Sequence, residues 1–293
     1  ASLSEMRGIY RVEALTPATL VTGLVAGAAG YSLSPPMHNA AARDLGVDLV
    51  YVPFEVADLE PFLDGVRRVG WRSRGFSVTN PFKTRALGLV DEADPLARRV
   101  GAVNTIVVDG DRLVGYNTDV AGATAPLEAL VGPLAGVRVG VVGAGGAARA
   151  VVCGLARHGA RVAVFARRAE LAREVAEPFG GAGFGLDGMP PVGLDVLVNA
   201  TPVGTQGASQ GESPVPARWL DGVRVAYDLV YAPERTRFLL DAAVAGCATL
   251  GGLPMLATQA ALQFELWTGR RVEPERMLDY ARGAAGEAER ARP

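Results

Sequence analysis

The stretch 137–150, VRVGVVGAGGAARA, limits the fold of this chain more than any other feature. It begins with an apolar run, 137–142, whose length and composition are typical of a buried parallel strand. Gly143, Gly145 and Ala148 follow with the spacing G-x-G-x-x-A, at the start of a run of good helix formers. This spacing allows a tight turn, close approach of a pyrophosphate and close packing of helix on strand. It predicts a nucleotide-binding turn, with a glycine-rich turn that binds no ligand as the alternative.

A second apolar run, 161–166, lies where the next strand is expected, and the residues after it predict the cofactor. Proteins that bind NAD usually place an acidic residue there for the ribose 2′-hydroxyl, whereas those that bind NADP place arginine for the 2′-phosphate. Here Arg167 and Arg168 follow the run, and the first acidic residue is Glu170. Two guanidinium groups make favourable charge-assisted hydrogen bonds to a phosphate. The pair therefore favours NADP over the alternative of two solvated charges on a surface helix.

The composition is that of a globular chain and excludes several functional classes. Of the 293 residues, 49% are hydrophobic and 20% are charged, enough for one large domain or two ordinary ones. A net charge of −2 gives no electrostatic attraction to nucleic acid or an anionic membrane. No apolar run spans a bilayer, no secretory signal is visible, and 2 cysteines and 2 histidines are too few for a disulfide framework or a zinc site. We expect a cytoplasmic protein.

Alternating strand and helix patterns predict a first α/β domain before residue 119. The predicted strands span 20–27, 48–56, 74–79, 103–108 and 113–116, and the predicted helices span 36–45 and 59–69. Asp109 and Gly110 separate the last two strands and are a strong hairpin signal. We therefore expect the sheet of this domain to be mixed.

Regular strand and helix spacing predicts a second domain with a doubly wound sheet. Its predicted strands begin at Val137, Arg161, Val196 and Val223, after a linking helix over 119–131. The stretches 180–188 and 204–211 are predicted to be exposed glycine-rich loops. A late apolar helix over 255–268 is predicted to return to the first domain.

Polar side chains follow the predicted strands of the first domain, where open α/β sheets place ligands. They occupy 32–34, 79–83, 101–105 and 115–119, and Gln259 lies on the late helix. Together they offer hydroxyls, amides, one ammonium and one carboxylate, which suit a small polyhydroxylated carboxylic acid. Lys83 with Asp119 would be a proton-handling pair. Alternatively, Ser34 caps a helix, Asn104 satisfies a turn and Lys83 is a surface charge.

The predicted fold class is α/β, with two domains separated by a cleft. Residues 1–118 and 253–293 are predicted to form the substrate-binding catalytic domain, which is an N-terminal α/β domain. Residues 119–252 are predicted to form a Rossmann-type, doubly wound NADP-binding domain.

Eight short motifs, in the same order, resemble the shikimate dehydrogenase family along nearly the whole chain. They are YSLSPPMHN at 31–39, VTNPFK at 78–83, GAVNT at 101–105, GYNTD at 115–119, GAGGAAR at 143–149, NATPVG at 199–204, YDLVY at 227–231 and GLPMLATQA at 252–260. The resemblance implies reversible hydride transfer between NADPH and the carbonyl carbon of 3-dehydroshikimate.

The resemblance also implies a role for each matching residue. On the substrate side these are Ser32 and Ser34 for the carboxylate, Thr79, Asn104 and Gln259 for ring hydroxyls, Lys83 and Asp119 at the reacting oxygen, and Tyr231 in closing the site. On the cofactor side they are Gly143, Gly145 and Gly146 for the pyrophosphate, Thr201 for the dinucleotide, and Gly252 and Met255 near the nicotinamide. Ala144 and Ala147, in the same glycine loop, and the arginine pair Arg167 and Arg168 complete the predicted cofactor-binding residues.

Two departures from the family pattern affect the interpretation. Ser77 replaces an asparagine that is frequent in the family, which resembles the branch fused to a 3-dehydroquinate dehydratase. The opening stretch, 2–19, also resembles the join in such fusions, so we expect one half of a bifunctional protein or an association with such a dehydratase. Arg167 and Arg168 follow Ala166 where the family usually reads N-R-T, which retains an arginine but predicts weaker selectivity against NAD.

Two alternative functions are compatible with the same residues. A quinate dehydrogenase, or an enzyme that accepts both quinate and shikimate, shares the fold and the chemistry. Ser34 slightly favours shikimate, because quinate-preferring relatives often carry threonine there. A catalytically idle relative that senses a nucleotide or metabolite is the second alternative, and the presence of Lys83 and Asp119 speaks against it.

Overall fold

The computed structural model describes residues 2–28, 32–69, 72–187, 193–207 and 209–290. Tyr31, Gly188 and Ala208, which belong to the first motif and to the two predicted glycine-rich loops, lie outside these residues. The chain forms two compact units. Unit 1 comprises Ala1–Thr118 and Ala257–Pro293, and unit 2 comprises Asp119–Leu256. Within the described ranges, no helix is both long enough and apolar enough to cross a membrane.

The elements alternate along the chain as the sequence patterns predict. The strands are β1 Leu20–Ala26, β2 Leu49–Glu55, β3 Gly75–Val78, β4 Glu92–Ala93, β5 Thr105–Asp109, β6 Arg112–Tyr116, β7 Arg138–Val142, β8 Arg161–Ala166, β9 Ala182–Gly185, β10 Val196–Asn199, β11 Val225–Asp228 and β12 Ala248–Leu250. The helices are α1 Leu3–Gly8, α2 Ser34–Asp44, α3 Leu59–Val69, α4 Lys83–Ala86, α5 Pro95–Val100, α6 Asp119–Val131, α7 Gly146–Arg157, α8 Ala169–Ala176, α9 Arg237–Val244, α10 Leu253–Thr268 and α11 Pro274–Arg290.

Unit 1 contains a mixed sheet with the strand order β2-β1-β3-β5-β6-β4. Strand β1 pairs in parallel with β2 and β3, whereas β5 pairs antiparallel with β3 and β6. Gly110, at a φ of 66°, turns the chain between β5 and β6, which confirms the predicted hairpin. The presence of both parallel and antiparallel pairs confirms the predicted mixed sheet. Buried side chains such as Leu63, Phe76 and Ile106 form the core of the unit.

Unit 2 contains a parallel sheet with the strand order β12-β11-β10-β7-β8-β9. From β7 the chain winds first through β8 and β9 and then returns to β10, so the direction of winding reverses between β7 and β10. Open sheets of this kind bind ligands beyond the carboxyl ends of the strands at that reversal. The predicted doubly wound sheet is confirmed, and its first strand and glycine turn lie at the reversal.

The prediction of an exposed loop over 180–188 was wrong, because this stretch contains strand β9. Strand β9 pairs in parallel with β8, and Phe184 stacks on Phe165 at a ring distance of 5.5 Å. A Cβ at Gly183 would lie 2.2 Å from the backbone nitrogen of Arg173, so the glycine permits a close approach to α8. The glycine-rich composition reflects close packing here. The described residues of 204–211 form turns, as predicted.

Candidate active site

The serine pair of the first motif lies at the start of α2 in unit 1. Ser34 is the first residue of that helix and is buried, and its backbone nitrogen donates a hydrogen bond to the Ser32 hydroxyl at 3.2 Å. The two serines are therefore held together by a contact between backbone and side chain. Their hydroxyls lie at a helix N-terminus, where the backbone N–H groups favour negative charge.

Thr79 and Lys83 follow strand β3 in unit 1. The Thr79 backbone nitrogen donates to the Val25 carbonyl at 3.1 Å, and its carbonyl accepts from the Phe82 nitrogen at 2.9 Å. The second bond closes a turn, and α4 begins immediately after it with Lys83. Both side chains are half-buried. Lys83 is also the only lysine in the chain, since every other Lys or Arg residue is arginine.

The Asn104 amide lies at the centre of a buried hydrogen-bond network in unit 1. Its Oδ1 accepts from the Thr118 backbone nitrogen at 2.8 Å and from the Thr105 hydroxyl at 2.9 Å. Its Nδ2 donates to the Thr118 hydroxyl at 2.9 Å and to Gln259 Oε1 at 3.4 Å. The structure thus brings together two predicted substrate residues, Asn104, which immediately precedes β5, and Gln259 from α10.

The network extends to residues that the sequence did not assign to the site. Gln263 Oε1 accepts from the Ser77 hydroxyl at 2.8 Å, and the Ser77 hydroxyl accepts from the Tyr51 hydroxyl at 2.8 Å. The His38 ring stacks on the Tyr51 ring at 4.3 Å. The spacing of Gln263 one helical turn after Gln259 was the only sequence signal for this extension.

His38 is a neutral base at the far end of that network. The residue is fully buried, and neither ring nitrogen has a hydrogen-bond partner among the described residues. Burial lowers the pKa of His38 to about 3, and the neighbouring Gln263 amide, although outside hydrogen-bonding geometry, offsets part of that shift. His38 therefore acts at neutral pH as an uncharged aromatic ring.

The glycine turn of unit 2 joins β7 to α7 as predicted. Gly143 has a φ of 123°, and a Cβ there would lie 2.9 Å from the Ala200 carbonyl oxygen, so other residues would be strained. Gly145 is the N-cap of α7 and offers no capping side chain. A Cβ at Gly145 would meet nothing within 4 Å. The first turn of α7 therefore presents its N–H groups beside open space, an arrangement that binds anions.

The remaining residues predicted for the cofactor loop surround this turn. Ala144, Gly146 and Ala147 are half-buried within it. Arg167 and Arg168 follow β8 and are exposed, and Arg168 is the N-cap of α8. Two cations thus stand at the carboxyl end of the strand that neighbours β7.

Thr201 belongs to a second buried network, at the carboxyl ends of β10 and β11. Asn199 Oδ1 accepts from the Thr201 hydroxyl at 2.7 Å and from its backbone nitrogen at 3.0 Å. Asn199 Nδ2 donates to Asp228 Oδ1 at 2.9 Å, and the Thr236 hydroxyl donates to Asp228 Oδ2 at 2.5 Å. Burial raises the pKa of Asp228 to about 6, although these donors and the Val230 N–H favour its ionised form.

The other predicted residues of unit 2 lie on separate elements. Asp119 is buried at the start of α6, and burial together with the Asp119 charge raises the pKa of Tyr227. Tyr231 is half-buried, and Met255 is buried in the core. A Cβ at Gly252 would lie 2.3 Å from the Leu229 carbonyl oxygen, so only glycine fits there. In the described part of the chain, no cluster of acidic, histidine or cysteine side chains could hold a metal ion.

The comparisons with known proteins point to one family. The profile of the "Shikimate dehydrogenase substrate binding domain" matches residues 24–106, and that of the "Shikimate 5'-dehydrogenase C-terminal domain" matches 252–279. A relative from Halorubrum lacusprofundi named "Shikimate dehydrogenase (NADP(+))" is 45% identical over 88% of this chain and 96% of its own.

Solved structures give the same result at the level of the fold. The shikimate 5-dehydrogenase of Thermus thermophilus, in complex with NADP(H) and shikimate, is 39% identical with a TM-score of 0.82, over 91% of this chain and 100% of that one. The quinate dehydrogenase of Corynebacterium glutamicum, in complex with NAD, is 30% identical with a TM-score of 0.81, over 90% of this chain and 99% of that one.

Proposed function

This chain belongs to the shikimate dehydrogenase family, and we propose that it is an NADP-dependent enzyme that reversibly reduces 3-dehydroshikimate to shikimate. The observation that carries the proposal is the 45% identity, over most of both chains, to a relative named shikimate dehydrogenase (NADP(+)). Ser34, which the resemblance favours for shikimate, and the arginine pair after β8 agree with this substrate and this cofactor. The reaction would supply shikimate for aromatic amino acid biosynthesis.

We propose unit 2 as the NADP-binding part of the chain, because its residues fit that molecule. The uncapped start of α7 and the open space beside Gly145 suit a pyrophosphate, in a loop formed by Gly143, Ala144, Gly145, Gly146 and Ala147. Arg167 and Arg168 offer exposed guanidinium groups to a 2′-phosphate. Thr201, Gly252 and Met255 would contact the rest of the dinucleotide. When bound, NADPH supplies the hydride.

We propose unit 1 as the main substrate-binding part, in agreement with the position of the matching substrate-domain profile. Ser32 and Ser34 would bind the carboxylate through their hydroxyls. Thr79, Asn104 and Gln259 would bind ring hydroxyls, and the buried network around Asn104 would hold its amide in one orientation. Tyr231 would help to close the site.

Lys83 and Asp119 would handle the proton at the reacting oxygen. Negative charge develops on that oxygen as the carbonyl is reduced, so an ammonium group stabilises it and can deliver a proton. Asp119 would orient the lysine and share the hydroxyl hydrogen. The choice of lysine here, in a chain that otherwise uses arginine, fits this role because arginine does not release its proton in proteins.

Initial rates followed by nicotinamide absorbance test the proposal with four combinations: shikimate or quinate, each with NADP or NAD. We expect shikimate with NADP to dominate. Comparable rates with quinate or with NAD would assign the chain instead to the branch represented by the quinate dehydrogenase above. A folded protein that binds NADP but is inactive in every combination would be a sensor, and the proposed activity would be wrong.

Two further predictions concern the setting of the enzyme. The cytoplasmic location is tested by cell fractionation with an antibody against the chain. Fusion to, or association with, a 3-dehydroquinate dehydratase has the support of Ser77 and of the opening stretch alone. Purification of the natural protein, followed by a dehydratase assay, tests that idea, and a pure, active dehydrogenase without dehydratase activity would reject it.

A further inference from the structure

We propose that Gln263 is a positioning residue of the substrate site: it donates to the Thr105 hydroxyl, which acts with the Thr118 backbone N–H to keep the Asn104 amide nitrogen turned towards Gln259. This inference rests on the proposed function, in which Asn104 and Gln259 bind substrate hydroxyls. Gln263 lies one helical turn beyond Gln259 on α10 and is only 1% exposed. The family resemblance gave it no role.

The Asn104 backbone carbonyl fixes the orientation of the Gln263 amide. A carbonyl oxygen only accepts hydrogen bonds, so Gln263 Nε2, at 3.3 Å, must face it as a donor. Nε2 also donates to the Thr105 hydroxyl at 2.9 Å. Oε1 then faces Ser77 and accepts from its hydroxyl, which accepts in turn from the Tyr51 hydroxyl. The order of donors therefore runs from Tyr51 through Ser77 to Gln263.

The Thr118 backbone N–H fixes the Asn104 amide in the same way. An N–H group only donates, so the side-chain oxygen of Asn104, 2.8 Å away, must be the atom that faces it. An amide oxygen only accepts, so the Thr105 hydroxyl, which accepts from Gln263, donates its single proton to the same Asn104 oxygen at 2.9 Å. The Thr118 hydroxyl, 3.3 Å from the Thr105 hydroxyl, then faces it as a donor. Asn104 Nδ2 is left facing the Thr118 hydroxyl and Gln259 Oε1. Every link in the chain thus has one direction, set by two backbone groups.

The surroundings make this direction costly to reverse. Asn104, Thr105 and Gln263 are each at most 1% exposed, so water cannot replace a lost partner. A buried donor that faces another donor loses its hydrogen bond and keeps the full cost of desolvation. The consequence for recognition is that Asn104 directs one N–H group towards the Gln259 side, an orientation that suits a lone pair of a substrate hydroxyl.

Gln263→Glu tests this direction with little change of shape. An ionised carboxylate offers no donor to the Asn104 carbonyl or to Thr105, whereas a protonated carboxyl group keeps one O–H donor. The titratable side chains that face this position, His38 from α2 and Tyr51 from β2, are both buried. We expect the shikimate KM to rise roughly tenfold at pH 8.5, the effect of about one hydrogen bond, and to approach the wild-type value at pH 6. The Kd for NADP should not change.

Gln210→Glu is the matched control, because it makes the same chemical change at an exposed position in unit 2. It should retain the wild-type shikimate KM at both pH values.

Thr105→Val is the second test variant and removes the link between Gln263 and Asn104 with little change of volume. We expect a pH-independent rise in the shikimate KM, and no further rise when it is combined with Gln263→Glu at pH 8.5.

The Asn104 side-chain NH2 resonances in the ligand-free protein provide a readout that does not need turnover. Both test variants should shift these resonances, whereas Gln210→Glu should not. A wild-type protein that neither binds NADP nor turns over shikimate would refute the proposed function, and with it the role in substrate binding. Unchanged Asn104 resonances, or an unchanged shikimate KM in a folded Gln263→Glu protein across the pH range, would overturn the role of Gln263 alone.

Discussion

Each unit holds a buried polar network beside its proposed ligand residues, and the two networks differ in charge. In unit 1 the network around Asn104 consists of amides and hydroxyls and is covered by His38, which burial keeps neutral at pH 7. In unit 2 the network around Asn199 ends at the carboxyl group of Asp228, whose pKa is raised by burial to about 6. A neutral network of amides and hydroxyls can thus be fixed in direction by two backbone anchors, whereas a buried carboxyl group makes its surroundings depend on pH.

The cationic side chains of the two units differ in whether they can release a proton. Unit 1 places the chain's only lysine at the proposed proton-transfer position, and unit 2 places two arginines at the proposed phosphate position. Lysine can exchange a proton with substrate, whereas arginine is a permanent, forked donor that matches a phosphate. Exchanging one cation type for the other should therefore have unequal effects in the two units.

Lys83→Arg should produce the largest effect. The positive charge is kept but the ability to deliver a proton is lost, so kcat should fall by about 10²–10⁴, the usual contribution of a general acid or base. Steady-state kinetics with shikimate and NADP give kcat and the shikimate KM, which should stay within severalfold. Near-wild-type turnover by the arginine variant would show that this position supplies charge alone.

The neutral state of His38 should make unit 1 sensitive to acid. Its pKa of about 3 lies below the ordinary value of 6.5, so its contribution to stability is complete above pH 6.5 and is lost as the pH falls towards 3. Between pH 6.5 and pH 4 the loss is about 3 kcal/mol. Urea titrations across this range should show a weaker dependence on pH in His38→Gln. Equal pH slopes in the wild-type protein and in a folded His38→Gln variant would contradict this assignment.

Asp228 should have the opposite effect from His38 on the pH dependence of the free energy of unfolding. Its pKa of about 6 lies above the ordinary value of 3.8, so its contribution to stability is greatest below pH 3.8 and is lost as the pH rises through 6. From pH 4.5 to pH 6 this loss is about 2 kcal/mol, and it should be absent in Asp228→Asn. The same urea titrations measure it, with Asp241→Asn, which removes an ion-paired carboxylate of α9, as the control. Equal pH slopes in both variants would contradict this assignment.

Arg168→Lys should have the smallest effect of the four substitutions. Charge is retained and only the forked geometry is lost, so the Kd for NADP should rise roughly threefold to tenfold while the Kd for NAD changes little. Titration of the intrinsic fluorescence with each nucleotide gives both constants. An equal rise in the Kd for NADP and in the Kd for NAD would show that Arg168 does not contact the 2′-phosphate.

The sequence predicted those features of the fold that depend on neighbouring residues. The strand, glycine turn and helix over 137–150 and the hairpin at Gly110 are local patterns, and both are present. Strand β9 was missed because its pairing partner, β8, decides its conformation and its own composition does not.

The buried networks could not be predicted in the same way. The bond from Ser77 to Gln263 joins residues 186 positions apart, and the identity of His38 as a stacked, neutral ring depends on Tyr51 and Trp267. A family resemblance assigns roles to residues that contact ligands, whereas side chains that orient those residues emerge only from the folded contacts. Asn104 was predicted, and the residues that fix its direction were not.

In the proposed reaction, hydride passes directly from NADPH to the carbonyl carbon of 3-dehydroshikimate, and an isotope-transfer experiment follows that hydride. The wild-type protein is incubated with 3-dehydroshikimate and NADPH that carries deuterium at both C4 positions, and the product is examined by mass spectrometry and NMR. We expect shikimate with one deuterium on the former carbonyl carbon. Shikimate without deuterium, or no shikimate from a folded protein that binds NADP, would contradict it.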